Sequence, residues 1–164
     1  MTNADVNPMR GDAPSKAIET EAALAMLEAW LGLSLSIRAN RVLEELTFNQ
    51  MAVCHLLYAD RANGGTGMSA AELCTATSLL KSQMNKELAS LEEKGLILKE
   101  PDEQDRRKVV ISLNDANEGI YLAEHERIMV VFEGLVAEYG ADRLLGLAEG
   151  LREATEIAER IIEG

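Results

Sequence analysis

Apolar and polar positions between residues 69 and 113 follow two helical patterns and then a strand pattern. Ser69 with Glu72 three residues later is a capping box, which predicts the start of a short helix. Gly95 predicts a left-handed cap at the end of a second, longer helix. The predicted apolar side of that second helix consists of Leu80, Met84, Leu88 and Leu91. The chain is therefore expected to form two consecutive helices around a short turn.

Two short apolar runs after Gly95 indicate a β-hairpin. Residues 96–98 and 109–111 carry the runs, and a polar turn from Pro101 to Arg107 separates them. A short third strand is expected near Met68. Helix, turn, helix and hairpin in this order predict a winged helix-turn-helix over residues 47–114. The expected fold class is mainly α with a small β-wing, an arrangement that favours binding to DNA.

Helical patterns flank this element on both sides. Lys16 to about Leu46 is predicted to be one helix, apolar on more than one side, and residues 115–164 are predicted to be helical with an interruption at Gly140. The last helix carries a near-heptad series: Leu144, Ala148, Leu151, Thr155, Ala158 and Ile162. Residues 16–46 and 115–164 are expected to be dimerisation helices, with packing inside the monomer as the alternative. The whole would form a single domain over residues 16–164, after a flexible tail over residues 1–15.

A small, polar and weakly basic face is predicted opposite the apolar side of the second helix. Its candidate DNA contacts are Lys81, Ser82, Gln83, Asn85 and Lys86. Asn and Lys can hydrogen-bond to base edges, and Ser and Lys can bind phosphates. Ala89 on the same face would let the DNA backbone approach closely. An ordinary solvated helix face is the alternative interpretation.

The densest basic cluster in the chain lies in the turn of the predicted hairpin. Arg106, Arg107 and Lys108 are consecutive and follow Asp105. We expect the three cations to contact DNA and Asp105 to orient Arg107 through a charge-assisted hydrogen bond. The alternative is a solvated turn whose cations balance the nearby acidic residues, which are Asp102, Glu103 and Asp105.

Two separate stretches of this region resemble the bacterial multiple-antibiotic-resistance regulator (MarR) family. The family's helix ends in Leu-Glu-x-Lys-Gly-Leu, as residues 91–96 do here. Its wing carries Asp-Arg-Arg before a strand that ends in Leu-Thr, and residues 105–107 and Leu113 match that pattern. No gap is needed between Glu72 and Leu113. Because both elements match at the right separation, the resemblance is fairly specific.

Two departures from the family pattern concern helix caps. Asn114 replaces the family's Thr and is expected to cap the following helix equally well. Leu80 stands where the family often has a Ser or Thr that caps the second helix. Thr77 or Ser78 is therefore expected to cap that helix instead.

The resemblance implies a homodimeric, sequence-specific transcriptional regulator, most simply a repressor that responds to a small-molecule effector. Two-fold symmetry would make its double-stranded DNA operator pseudo-palindromic. Many family members bind small aromatic or phenolic anions between the dimer helices and the DNA-binding lobe. The residues here that could line such a pocket are Trp30, Arg38, His55 and Tyr58. Core or surface roles are the alternative for these four residues.

The net charge of −12 is an objection to DNA binding, and its distribution answers part of that objection. Residues 81–114 hold seven basic and seven acidic residues, whereas the remainder holds nine basic and 21 acidic ones. The acidic excess thus lies outside the predicted DNA-contacting element, and salt screens distant charges over about 10 Å. A winged-helix protein-interaction module without DNA binding is the alternative, supported by the acidity and by Glu87, Glu92 and Glu93 on the second helix.

Other functions receive less support from the sequence. No run of 18 apolar residues suggests a membrane span, and the first residues lack the apolar core of a signal peptide, so a cytoplasmic protein with free thiols is expected. Cys54 and Cys74 are expected to be small buried hydrophobes, with redox sensing as the alternative. His55 and His125 are the only histidines, which disfavours metal sensing. No nucleophile motif or phosphate loop is present, so neither enzymatic activity nor a cofactor is expected.

Overall fold

The computed structural model of the chain describes residues 16–39, 42–102 and 105–164, apart from the side chains at positions 17, 37–39 and 163. The predicted tail over residues 1–15 lies outside this part. Two compact units are present, one ending at Val42 and one running from Leu43 to Gly164. The helices are α1 (Lys16–Ala39), α2 (Phe48–Ala62), α3 (Ala70–Thr77), α4 (Lys81–Glu93), α5 (Glu118–Tyr139) and α6 (Ala141–Glu163), and the strands are β1 (Ile97–Pro101) and β2 (Val109–Leu113). The predicted mainly α fold class with a small β-wing is confirmed.

Helix α1 is shorter than the sequence predicted. It ends at Ala39, and the chain from Val42 to Thr47 has no regular secondary structure, so the expected helix up to about Leu46 is wrong at its C-terminal end. The backbone N–H groups of Glu44 and Glu45 donate to a side-chain carboxylate of α5 instead of to helical carbonyl groups. The carboxylate thus supplies the hydrogen-bond acceptor that these backbone N–H groups would otherwise find within a helix.

Capping boxes fix the starts of α2 and α3, and the one at Ser69 confirms the prediction. Thr47 Oγ1 accepts from the Gln50 N–H group, and the Gln50 side chain accepts from the Thr47 N–H group, each over 3.2 Å. Ser69 Oγ accepts from the Glu72 N–H group over 3.3 Å, while Glu72 Oε2 accepts from the Ser69 N–H group over 2.7 Å. Each pair satisfies two backbone donors that a helix start otherwise leaves without an acceptor.

The turn between α3 and α4 differs from the prediction. Ser78 adopts a left-handed conformation, with φ of 54°, and Leu80 occupies the N-cap position of α4. Neither Thr77 nor Ser78 therefore caps α4. The N–H group of Leu80 donates to Gln83 Oε1 over 3.3 Å. The Leu80 side chain is 69% exposed, so this residue does not belong to the apolar side predicted for the helix.

The C-terminal end of α4 confirms the predicted glycine cap. Gly95 has φ of 69°, which favours glycine. Its carbonyl oxygen accepts from the side-chain amides of Asn114 and Asn117, over 2.8 and 3.1 Å. Asn114 Oδ1 accepts from the Ala116 N–H group over 3.1 Å, within a turn that precedes α5. The predicted helix-capping role of Asn114 is therefore wrong, because α5 begins only at Glu118.

Strands β1 and β2 form the predicted antiparallel hairpin, with Ile97 opposite Leu113. The third strand expected near Met68 is a single bridge, in which Met68 and Ile111 exchange two backbone hydrogen bonds of 2.9 and 2.8 Å. Gly67 precedes the bridge with φ of 121°, and a Cβ atom there would lie 2.5 Å from the Ile111 carbonyl oxygen. Glycine therefore permits this close approach.

The core of the second unit lies where α2, α3, α4, α5 and the hairpin meet. Its buried apolar residues are Leu46, Met51, Val53, Cys54, Leu57, Leu73, Met84, Leu88, Leu91, Leu96, Ile97, Ile111, Leu113 and Tyr121. Burial of each large apolar side chain stabilises the fold by about 1.5–3 kcal/mol. Since Met84, Leu88 and Leu91 all point into this core, the opposite face of α4 is left to solvent.

Helices α5 and α6 expose many apolar side chains. Gly140, with φ of 90°, separates them at the position that the sequence predicted. In the near-heptad series of α6, Leu151 is 43% and Ile162 is 83% exposed. Other exposed apolar residues of the two helices include Val130, Phe132, Leu145, Leu147, Ile157 and Ile161. Apolar surface on this scale is typical of an interaction site.

Candidate nucleic-acid interface

The solvent-facing side of α4 carries all five residues that the sequence proposed as DNA contacts. Lys81, Ser82, Gln83, Asn85 and Lys86 are exposed. A helix presented in this way can enter the major groove, which is about 12 Å wide. The Asn85 amide can donate and accept at a base edge, while the Lys86 ammonium can only donate.

The first turn of α4 suits a phosphate group. The N–H groups of Lys81, Ser82 and Gln83 have no acceptor within the helix, and the helix dipole favours negative charge there. The Lys81 ammonium adds a positive charge. Gln83 has a structural role as well, because its Oε1 atom accepts from Leu80. Only its Nε2 group remains as a donor toward DNA.

Two of the three acidic residues on α4 are engaged by neighbouring side chains. Glu87 accepts from Thr47 Oγ1 over 3.5 Å and from Asn49 Nδ2 over 3.4 Å. Glu92 forms a salt bridge of 2.6 Å with Lys99 of β1. Glu93 is exposed. Donors beside Glu87 and Glu92 reduce the repulsion that their charges exert on an approaching phosphate.

The tip of the wing is held by a local network of hydrogen bonds. Asp105 donates from its N–H group to Asp102 Oδ1 over 2.7 Å, and its carbonyl oxygen accepts from the Lys108 N–H group over 2.8 Å. Asp105 Oδ1 accepts from the Arg107 N–H group over 3.2 Å and from Arg107 Nε over 3.1 Å. The predicted bond between Asp105 and Arg107 is therefore present, and the Arg107 side chain is nevertheless 92% exposed.

Arg106 and Lys108 are also exposed, so the wing presents three cations to solvent. Lys108 acts on α3 as well. Hydrogen bonds from Ser69 are the main reason that the pKa of the Glu72 carboxyl lies below its ordinary value, and the charge of Lys108 contributes to the same shift.

The sequence model of the MarR family matches residues 46–108, from just before α2 to the end of the wing turn. The likeness to the family in sequence is therefore shown for this segment, which is less than half of the chain. A comparison of the whole sequence with curated proteins found no significant match.

Several solved structures are similar to this structure over most of the chain. The transcriptional regulator BldR from Sulfolobus solfataricus is 18% identical with a TM-score of 0.68, covering 87% of this chain and 99% of BldR. PcaV from Streptomyces coelicolor, solved with its natural ligand, is 22% identical with a TM-score of 0.66, covering 81% and 91%. MepR from S. aureus, solved in a complex with DNA, is 20% identical with a TM-score of 0.54, covering 82% and 98%. At these identities the likeness establishes the fold.

Two of the four predicted effector-binding residues lie together in the second unit. His55 Nδ1 is 3.1 Å from the hydroxyl of the fully buried Tyr121, and the ring of Tyr58 lies 5.2 Å from that of Tyr121. His55 also stacks on His125, with ring centroids 6.1 Å apart. Sequence reasoning missed Tyr121 and His125 as members of this aromatic cluster. Their spacing of four residues, which places them on one face of α5, was the available signal.

The other two predicted effector residues belong to the first unit. Trp30 is 59% exposed on α1. The side chain of Arg38 lies outside the described residues, although its backbone is part of α1.

The cysteines differ in their surroundings. Cys54 is buried, and burial raises the pKa of its thiol to about 12. Such a thiol is a poor nucleophile at neutral pH. Cys74 is half-buried and packs against the same core. No group of three His, Cys, Asp or Glu side chains within the described ranges converges on a possible metal position. Among the helices that the structure describes, none is both long and apolar enough to cross a membrane.

One buried acidic residue was not anticipated. Glu124 of α5 is fully buried and accepts hydrogen bonds from the backbone of Glu44 and Glu45. Tyr121, Glu124 and Ile128 follow helical spacing, so a carboxylate on an otherwise apolar face was the signal for it.

Proposed function

We propose that this chain is a sequence-specific DNA-binding transcriptional regulator. The observation that carries the proposal is the exposed polar face of α4 together with three exposed cations on a wing whose Arg107 is held by Asp105. Helix α4 would read base edges in the major groove, and Arg106 and Arg107 would enter the minor groove, where a narrow groove enhances the negative potential. The DNA-bound MepR structure shows that a related fold binds DNA.

A binding experiment with fluorescence anisotropy tests this proposal. Duplexes covering the DNA next to the protein's own gene are titrated at two salt concentrations, with a scrambled duplex of equal length as the control. Sequence-specific regulators typically bind their site about 10³–10⁷ times more tightly than other DNA. Equal affinity for every duplex, or no binding at low salt, would contradict the proposal.

We propose further that the regulator is a homodimer formed through its terminal helices. The exposed apolar side chains of α1, α5 and α6 support this, because isolated helices with such faces need a partner. Two-fold symmetry then places two copies of α4 on successive turns of a pseudo-palindromic operator. Light scattering of the full chain and the half-site spacing of the operator test this assembly.

A repressor controlled by a small aromatic or phenolic anion is the form of regulation that we propose. The aromatic cluster around Tyr121, which includes His55 and Tyr58, offers ring faces and polar tips to such a ligand. Mass spectrometry of a co-purified ligand tests this part directly. His55→Ala and Tyr58→Ala should weaken its binding, and Glu126→Ala, at an exposed polar position of α5 outside the cluster, serves as the control.

A protein-interaction module without DNA binding is the second candidate. The acidic composition and the exposed Glu93 favour it. Two other acidic residues of α4, Glu87 and Glu92, already have donors within the chain, which weakens the case for the interaction module.

We propose that the DNA-binding regulator works in the cytoplasm without a cofactor.

A further inference from the structure

The buried carboxylate of Glu124 is surrounded by donors from two parts of the chain. Its side chain is fully buried on α5, and a carboxylate in such a place is unfavourable unless donors replace the lost water. Oε1 accepts from the Glu44 N–H group over 3.1 Å and from the Glu45 N–H group over 2.5 Å. Arg127 Nη1 lies 3.3 Å from the same oxygen, and Arg127 Nη2 lies 2.7 Å from Glu44 Oε2. Glu124 and Arg127 thereby fix residues 44 and 45 against α5.

Residues 44 and 45, and the residues that follow them, also contact α4. We call residues 44–50 the entry segment, because they lead into α2 and include its first residues. The Glu45 carbonyl oxygen accepts from Lys94 Nζ at the C-terminal cap of α4. Farther along, the buried Gln50 donates from Nε2 to Ser90 Oγ over 3.0 Å. The entry segment is thus bonded to α5 on one side and to the DNA-facing helix on the other.

We infer that Glu124 is a positioning residue for DNA recognition, which sets the placement of α4 relative to α5 through the entry segment. This inference rests on the proposed function, since it concerns how the same α4 face is aimed at DNA. The residue itself does not touch DNA: it is fully buried, and its acceptor atoms are used by the entry segment and Arg127.

Hydrogen bonds to base edges tolerate only a small displacement of α4, so the position of this helix affects sequence-specific binding. A hydrogen bond to a base edge requires a donor–acceptor distance of about 2.7–3.2 Å, so a shift of α4 by about 1 Å removes it. Core contacts of Met84, Leu88 and Leu91 hold the helix by apolar packing, which has no comparable directionality. The polar bonds to the entry segment add the directional constraint. Phosphate contacts by flexible Lys and Arg side chains would survive a small shift.

The test compares specific and non-specific DNA binding of the full-length Glu124→Gln variant. Gln keeps the shape and one acceptor oxygen but removes the charge. We expect operator affinity to fall about tenfold, as for the loss of roughly one base contact, while affinity for a scrambled duplex changes by less than about twofold. Glu126→Gln is the matched control, because it makes the same charge change at an exposed position of the same helix. It should leave both affinities unchanged.

Amide hydrogen exchange adds a readout independent of DNA. Exchange at Glu44 and Glu45 should become faster in Glu124→Gln, because both N–H groups lose their charged acceptor. Exchange in α6 should not change. A variant that discriminates operator from scrambled DNA as well as the wild type overturns the inference. So does a variant whose two affinities fall by the same factor, since a general loss of folded protein explains that result.

Lys94→Met provides a second route if Glu124→Gln does not fold. Lys94 is exposed, and Met keeps most of its aliphatic stem while removing the donor to Glu45. We expect this variant to discriminate less well between the operator and scrambled DNA, as Glu124→Gln should. The dependence of its affinity on salt should be unchanged. A salt slope lower by about one would make Lys94 a phosphate contact instead and would overturn the inference, as would unchanged discrimination. If the wild type itself shows no sequence preference, the proposed function fails and the inference fails with it.

Discussion

Asp105 Oδ1 accepts two hydrogen bonds from Arg107, one from the backbone N–H group over 3.2 Å and one from Nε over 3.1 Å. The carboxylate therefore fixes the direction in which the wing arginine leaves the turn. This bond allows a test in which geometry and net charge predict opposite outcomes.

Asp105→Ala should weaken operator binding by about 1 kcal/mol, or about fivefold, because the guanidinium loses the bond that orients it. Removal of a negative charge near DNA would by itself strengthen binding. Glu100→Ala, at an exposed acidic position of β1, removes the same charge without touching an arginine and should bind as well as the wild type or better. Titration by fluorescence anisotropy measures all three proteins; tighter binding of Asp105→Ala would show that Asp105 acts only through its charge.

Arg106→Ala combined with Arg107→Ala should lower operator affinity and reduce the slope of log affinity against log salt by up to about two. Each arginine that neutralises a phosphate releases a counterion, and both side chains are exposed. The melting temperature should stay near that of the wild type, because an exposed turn contributes little stability. A wing that does not touch DNA would leave affinity and salt slope unchanged.

Asn85→Ala and Lys86→Ala should differ in how they affect binding. A base-reading asparagine should cost about 1–3 kcal/mol on the operator and relax specificity at one position, whereas loss of a phosphate-binding lysine should weaken all sequences alike. Each variant is the control for the other, because both positions are exposed on the same helix. Binding to operators that carry single base changes distinguishes the two roles. Wild-type affinity in both variants would exclude α4 from the groove.

Local signals predicted most of the fold, and contacts distant in sequence account for what they missed. The capping boxes at Thr47 and Ser69 and the cap at Gly95 depend on residues within a few positions, so the sequence contains them directly. The early end of α1 could not be predicted in this way. The acceptor that replaces helical hydrogen bonds at Glu44 belongs to Glu124, 80 positions away.

In the candidate site, too, local patterns predicted some features, while contacts distant in sequence account for others. Helical periodicity predicted which face of α4 is exposed, because three buried residues on one side determine the other side. Periodicity also assigned Leu80 to the apolar side, although the helix begins only after it. The pairing of His55 with His125 depends on how α2 packs against α5, which no local pattern reveals.

Deletion of residues 141–164 should yield unfolded or aggregating protein. It removes α6, whose exposed Leu145, Leu151 and Ile161 we assign to the dimer interface, and an obligate dimer rarely leaves a stable monomer. For the intact chain, the melting temperature should rise with protein concentration. Light scattering and thermal unfolding measure both effects; a well-folded full-length monomer would contradict the assignment.

Stability should decline in alkaline solution because of two buried groups. Burial raises the pKa of the Cys54 thiol and of the Tyr121 phenol to about 12 each. In the unfolded chain they ionise near about 8.5 and about 10, so the unfolded state releases protons that the native state retains. Their contribution is complete below about pH 8 and is lost as the pH rises toward 12, by up to about 1.4 kcal/mol per pH unit for each group.

Urea unfolding at a series of alkaline pH values measures this decline. Tyr121→Phe should make the fall in the free energy of unfolding less steep above about pH 10, because the variant lacks the buried phenol. If the free energy of unfolding did not depend on pH between about 8 and 11, this would contradict the predicted contribution of Cys54 and Tyr121.

The bridge between Met68 and Ile111 occupies part of the outer edge of β2. A two-stranded sheet leaves free main-chain donors and acceptors along its edges, and a strand from another molecule can add to such an edge and begin aggregation. Here the N–H and C=O groups of Ile111 on the outer edge of β2 are occupied by Met68, and Gly67 allows that approach. The exposed hairpin can therefore extend into solvent without offering the whole of this edge for intermolecular β-sheet growth.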